Sequence, residues 1–133
     1  MAANTNRDDE RSPIESLSAV TLVTADMAQA VAFYETLGFT TLYGGPDASF
    51  TSFAAGSGFL NLQSGDVDTS KIWGRAIFWV TNVDALHARA VDAGLQPSTT
   101  PRDAEWGERY FHIFDPDGHE LSFARPLESD PSL

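Results

Sequence analysis

The sequence predicts an α+β fold, and three observations carry that prediction. Short β-branched and apolar stretches alternate with two helical segments, so neither period dominates the chain. The pattern recurs at an offset of 56 residues, with Asp26 matching Asn82, Gly38 matching Gly94 and Phe39 matching Leu95. The chain has 133 residues, the size of one ordinary domain, and its 42% hydrophobic fraction is enough for a packed core.

Taken in order, Met1 to Pro13 is polar and charged and reads as a disordered tail. Ser18 to Thr24 is β-branched and apolar, a strand. Asp26 offers an N-cap, and Met27, Ala30, Val31, Tyr34 and Leu37 follow at three- and four-residue spacing, an amphipathic helix. Gly38 ends it, supplying the positive φ of a C′ position. Phe39 to Tyr43 reads as a strand closed by Gly44-Gly45-Pro46-Asp47. Ser49 to Ala54 and Gly58 to Gln63 read as a hairpin around Ala55-Gly56-Ser57. Ser64 to Ser70 is a polar linker.

The second half repeats the first. Trp73 to Thr81 reads as a strand, Asn82 as an N-cap, and Val83, Leu86, Ala90 and Ala93 as one helix face ended by Gly94. Leu95 to Thr99, Glu108 to Phe114 and His119 to Ala124 supply three further strands. Residues 14–127 are expected to form a single domain, with modules at about 14–64 and 71–127 and a second short tail at 128–133.

Charge and composition exclude several functions. The net charge is −11, which opposes binding to nucleic acid or anionic lipid, since both need phosphate neutralised by Lys and Arg. The same charge would attract cationic ligands, or would simply serve solubility. No apolar run approaches the ~20 residues of a membrane helix, and Met1 to Arg11 lacks the apolar core of a signal peptide. A cytoplasmic location follows by default. Cysteine is absent, so neither disulfides nor thiolate chemistry are available.

Two motifs resemble a known family. Phe33-Tyr34-Glu35-Thr36-Leu37-Gly38-Phe39 closes the first helix, and Asp115-Pro116-Asp117-Gly118-His119-Glu120-Leu121-Ser122-Phe123 forms a turn and strand near the C-terminus. Together they resemble the vicinal oxygen chelate superfamily of glyoxalases, extradiol dioxygenases, fosfomycin-resistance enzymes and bleomycin-resistance proteins, over roughly Leu17 to Pro126. The resemblance implies two βαβββ modules, packed side by side as a cupped mixed sheet. The helices would cover its outer face and the inner face would form a cavity. Read as residues, both motifs are architecture. Phe33 and Leu37 stand four apart and bury together, and Asp115-Pro116-Asp117-Gly118 has the composition of a tight turn.

The resemblance also locates the positions where metal-dependent relatives hold their ion. Here they are Ala19, Asn61, Arg75 and Ser122. Methyl, amide, guanidinium and hydroxyl groups are not the imidazole or carboxylate donors that Zn²⁺, Fe²⁺ or Ni²⁺ require, and a fixed positive charge at Arg75 repels a cation. No metal and no other cofactor is expected. Glu120 shares the face of Ser122 and is the one available carboxylate there.

Of the three histidines, His87 reads as solvated on its helix and His119 as a surface residue of the turn. His112 lies in a strand, either facing the cavity or outside it. Arg75, if directed inward, needs a partner, either Glu120 or a ligand bearing an anion or carbonyl. Trp73 and Trp79 flank it and suit stacking on aromatic ligands. Trp106 stands before a strand in a Trp-Gly step that is common in the bleomycin-resistance branch, where it sits at a cavity mouth. It either touches ligand or packs at the rim.

The ligand-binding set expected is Asn61, Arg75, Trp106, Tyr110, His112 and Ser122, with no catalytic residue. The resemblance points to a metal-free protein of the bleomycin-resistance type: a cytoplasmic homodimer that sequesters a flat, aromatic natural product. The alternative is a glyoxalase- or dioxygenase-type enzyme with non-standard or no metal ligands. A third reading has His112 or Glu120 act as a general base in the same cup without metal.

Overall fold

The computed structural model describes residues 13–71 and 73–127. The expected tails, apart from Pro13, lie outside the described residues. In chain order the elements are β1 (Ala19–Thr24), α1 (Met27–Thr36), β2 (Thr41–Tyr43), β3 (Phe50–Ala55), β4 (Gly58–Ser64), β5 (Arg75–Trp79), α2 (Val83–Asp92), β6 (Arg102–Asp103), β7 (Glu108–Phe114) and β8 (Glu120–Pro126). The order βαβββ occurs twice, as expected.

The two helices show why the repeat works. Asp26 Oδ1 accepts the Gln29 amide at 3.0 Å and Asn82 Oδ1 accepts the Ala85 amide at 2.9 Å, so each helix begins on a side-chain cap. Each helix has 10 residues. Gly38 and Gly94 follow them with φ of 98° and 89°, a conformation that costs a side-chain-bearing residue free energy.

The strands form two four-stranded mixed sheets, ordered β1-β4-β3-β2 and β5-β8-β7-β6. In each, the first strand pairs in parallel with the last and the remaining pairs are antiparallel. The cup is therefore built from two sheets rather than one. The edges of β1 and β5 face one another across cavities and share no ladder. The strand expected at Leu95–Thr99 is not one. Pro97 has no amide to donate, so the segment's bonds to β7 are isolated ones, from Ser98 N to His112 O at 2.9 Å and from His112 N to Thr99 Oγ1 at 3.0 Å. Regular pairing resumes after Pro101, at β6.

One apolar core runs under both modules, and α1 and α2 close it. Alternation sends Val20, Leu22, Phe53, Leu60 and Leu62 to it from the first sheet and Ala76, Phe78, Phe111, Ile113, Leu121 and Phe123 from the second. Phe39 lies edge-on to Phe53, Phe78 and Phe123, so one ring joins the two halves.

The Asp115–His119 turn also reaches across. Tyr34 Oη donates to Asp115 Oδ2 at 2.7 Å, Ala25 N donates to Asp117 Oδ1 at 2.9 Å, and His119 Nε2 donates to Val23 O at 2.8 Å. His119 is thus a partly buried tie between modules and not a surface residue. His87 is likewise half-buried, edge-on to Phe111 at 5.2 Å, and not simply solvated. Among the described residues no helix is long and apolar enough to cross a membrane.

Candidate functional site

With helices on one face of each sheet, the other face is left open. On the second sheet the register sets three cross-strand rows on that face. They are Arg75, Glu120 and Phe114; Ile77, Ser122 and His112; and Trp79, Ala124 and Tyr110, with Arg102 at the edge. Trp106, in the turn before β7, stacks on Tyr110 at 6.0 Å and 25°. The fold thereby brings Arg75, Trp106, Tyr110, His112 and Ser122 onto one surface. Asn61 stands apart, on the open face of the first sheet, where its Nδ2 donates to Thr21 Oγ1 at 3.2 Å.

The surface is aromatic and exposed. Trp73, Trp79 and Trp106 are 75%, 69% and 71% accessible, and Ile77 and Phe114 are also exposed. Ser122 and Ala124 are short, and their taller neighbours bury them. Solvent-facing indoles in this number are not what packing requires, and patches of this kind mark binding surfaces.

At one end of the face, Arg75 meets Glu120. Nε and Nη2 of Arg75 reach Glu120 Oε1 at 3.0 and 2.9 Å, and Trp73 Nε1 donates to the same oxygen at 3.1 Å. The guanidinium carbon lies 5.0 Å from the Trp73 ring centre. Arg75 thus takes the internal partner. Trp79 does not flank it, since its indole donates instead to Glu108 Oε2 at 3.1 Å.

This cluster borders a cavity of about 670 Å³ between β1 and β5, walled by Val20–Val23, Asp66–Thr69, Trp73–Ala76 and Gly118–Glu120. The sequence reading missed that wall, because Ser64–Ser70 reads as a linker. The available signal was the two-residue spacing of Trp73 and Arg75, which puts both on one face.

His112 sits at the centre of the face, 4.9 Å from the Tyr110 ring. Desolvation lowers its pKa from the usual histidine range and Arg75 lowers it further, with Glu120 opposing and Arg102 adding to the depression. The ring is therefore neutral at neutral pH. Its Nδ1 is buried with no partner among the described residues.

The donor set does not suit a metal. Ala19, Asn61, Arg75 and Ser122 offer no imidazole or carboxylate, Glu120 is held by Arg75, and the described residues contain no group of three His, Cys, Asp or Glu placed to hold an ion.

A family model described as Glyoxalase/Bleomycin resistance protein/Dioxygenase superfamily matches residues 16–123. The fold is similar to a bleomycin resistance determinant encoded on the transposon Tn5, with TM-score 0.71 and 21% identity over 84% of this chain and 98% of that one. It is similar to a bleomycin-binding protein complexed with bleomycin, with TM-score 0.67 and 22% identity over 84% and 98%. It is also similar to a lactoylglutathione lyase from Agrobacterium tumefaciens, with TM-score 0.69 and 18% identity over 86% and 96%. At these identities the likenesses establish the fold. In sequence, 48 residues are 44% identical to an uncharacterized protein of Mycobacterium tuberculosis, a match that spans 36% of this chain and 28% of the relative. The curated relatives are thus covered over about a third of their length or less.

Proposed function

We propose a function from one premise: the chain belongs to the Glyoxalase/Bleomycin resistance protein/Dioxygenase superfamily. Within it, the protein binds and sequesters a small, flat, aromatic compound in the cytoplasm, without a metal ion, as proteins of the bleomycin-resistance type do. The observation that carries this reading is the open face of the second sheet, where exposed indoles share one surface with Tyr110 and His112. Rings of this kind supply planar contact area at low entropic cost. The net charge of −11 draws a cationic ligand toward it.

The ligand-contacting residues in this reading are Arg75, Trp106, Tyr110 and His112, with Ser122 as the floor beneath them and Asn61 on the open face of the first sheet. A homodimer completes the cavity, with a partner covering the open face; unpaired edges favour such pairing. The test is a thermal-shift screen of aromatic antibiotics, followed by tryptophan quenching on the compounds that raise the melting temperature. A panel that leaves both signals unchanged would sink the reading.

A second reading has one observation behind it. Desolvation and then Arg75 hold the His112 pKa below the usual histidine range, which favours the neutral ring a general base needs, and the residue lies mid-row on the open face. In that case the cup performs a metal-independent proton transfer. Turnover of a carbonyl substrate, lost in His112→Gln while binding persists, separates this reading from sequestration.

A further inference from the structure

Resting on the ligand reading above, we propose that Glu108 is a positioning residue: its carboxylate holds Trp79 and Trp106 as a preset slot for a flat aromatic cation. Both carboxylate oxygens are used. Trp79 Nε1 donates to Oε2 at 3.1 Å and Trp106 Nε1 donates to Oε1 at 3.0 Å. The two indoles come from different parts of the chain, one from β5 and the other from the turn before β7. Trp79 reaches Glu108 over β8, where the intervening residue of its row is Ala124, whose methyl leaves the path open. Tyr110 backs Trp106 with a near-parallel ring.

The fold does not require this clasp. Indoles about 70% exposed can give their N–H groups to water, so fixing them costs side-chain freedom and returns little stability. What the clasp does achieve is ligand-directed. With both N–H edges turned to one carboxylate, the rings offer their faces, which carry negative charge density. The carboxylate adds a full negative charge beside them. Faces and carboxylate together favour a cation over a neutral ring, and a neutral ring over an anion. In the row through Tyr110, the countercharge is Arg102 at the edge strand. Rings fixed before binding also spare the ligand the cost of ordering them.

Three flat probes of similar shape test this on the full chain: N-methylacridinium, neutral acridine and 9-anthracenecarboxylate. The proteins compared are the parent, Glu108→Gln, Glu108→Ala and Asp92→Asn. Asp92 is exposed on α2, so the last variant makes the same charge change away from the face. The parent should bind in the order cation, neutral, anion. Glu108→Ala should weaken the cation by roughly tenfold or more. Glu108→Gln keeps one acceptor and loses the other with the charge, so the preference for cation over neutral should collapse more than the neutral affinity falls. Asp92→Asn should bind like the parent. In a Trp73→Phe background, time-resolved anisotropy should show faster indole motion once Glu108 is removed.

If the parent binds the cation and both Glu108 variants bind it equally well, the clasp is overturned while the ligand reading stands. If the parent binds none of the probes, both fall. An equal loss of all three probes with a lowered melting temperature would mean a structural role for Glu108 and overturn the proposal.

Discussion

Tyr34→Phe should destabilise the protein by about 2 kcal/mol, the middle of the range for a hydrogen bond to a charged group. The hydroxyl of Tyr34 donates to Asp115 Oδ2 at 2.7 Å, and both residues are buried, at 0% and 4% accessibility. Burial pushes the Asp115 carboxyl above the usual carboxylate range, and the Tyr34 hydrogen bond is the first of the contacts that pull it back. Oδ1 keeps its bonds from the Asp117 and His119 amides at 2.9 Å each, so the variant orphans one oxygen and not the whole group. Phenylalanine retains the ring contacts with Phe33, Phe39 and Phe53, so little packing is lost. For a domain of this size the cost corresponds to roughly 8 °C in melting temperature. Urea unfolding of Tyr34→Phe, Asp115→Asn and the double variant measures both the loss and the coupling. A loss under about 0.5 kcal/mol, or strict additivity of the two changes, would refute the reasoning, because directly bonded buried partners couple by about 0.5–3 kcal/mol.

Trp106→Ala should weaken an aromatic ligand by about 1–3 kcal/mol in quenching or calorimetric titration, the range for a stacked ring. Arg75→Ala should weaken a ligand that presents an acceptor at the seam, with the fold intact by circular dichroism. His112 holds its proton less readily folded than unfolded, so the unfolded chain takes up more protons as acid is added. Stability from this group should therefore be full at neutral pH and fall as pH drops below about 6.5, a slope that urea titrations should find reduced in His112→Gln. Prolonged dialysis against EDTA should change neither melting temperature nor ligand affinity, whereas stoichiometric zinc, iron or nickel lost in Glu120→Ala would reverse that expectation. Light scattering at micromolar concentration should give twice the 14.4 kDa of the monomer.

The sequence made the repeated βαβββ order legible because its punctuation is local. The caps Asp26 and Asn82 and the glycines Gly38 and Gly94 act within a turn of the helices they bound. Strand alternation then placed Arg75, Tyr110, His112 and Ser122 on faces that the register brings together. Three things needed the third dimension. The edge strand fell at Arg102 because Pro97 breaks a ladder whose partner lies elsewhere in the chain. His119 looked like a turn residue because Val23, its acceptor, is 96 positions away. Glu108 carried no signal at all, since its role depends on Trp79 from the far side of β8.

The ties made by the Asp115–His119 turn bear on how the chain reaches this structure during synthesis. Tyr34, Ala25 and Val23 find their partners 81, 92 and 96 residues downstream. Contacts this distant are slow to form, because a long loop must close before they return any stability. The first module therefore leaves the ribosome with its own helix and hairpin but with the Tyr34 hydroxyl still unanswered. It waits through all of the second module but β8 for the turn that completes it. A nascent chain arrested before Asp115 should remain open to proteases in its N-terminal half, and release of the last strand should close both halves in one step.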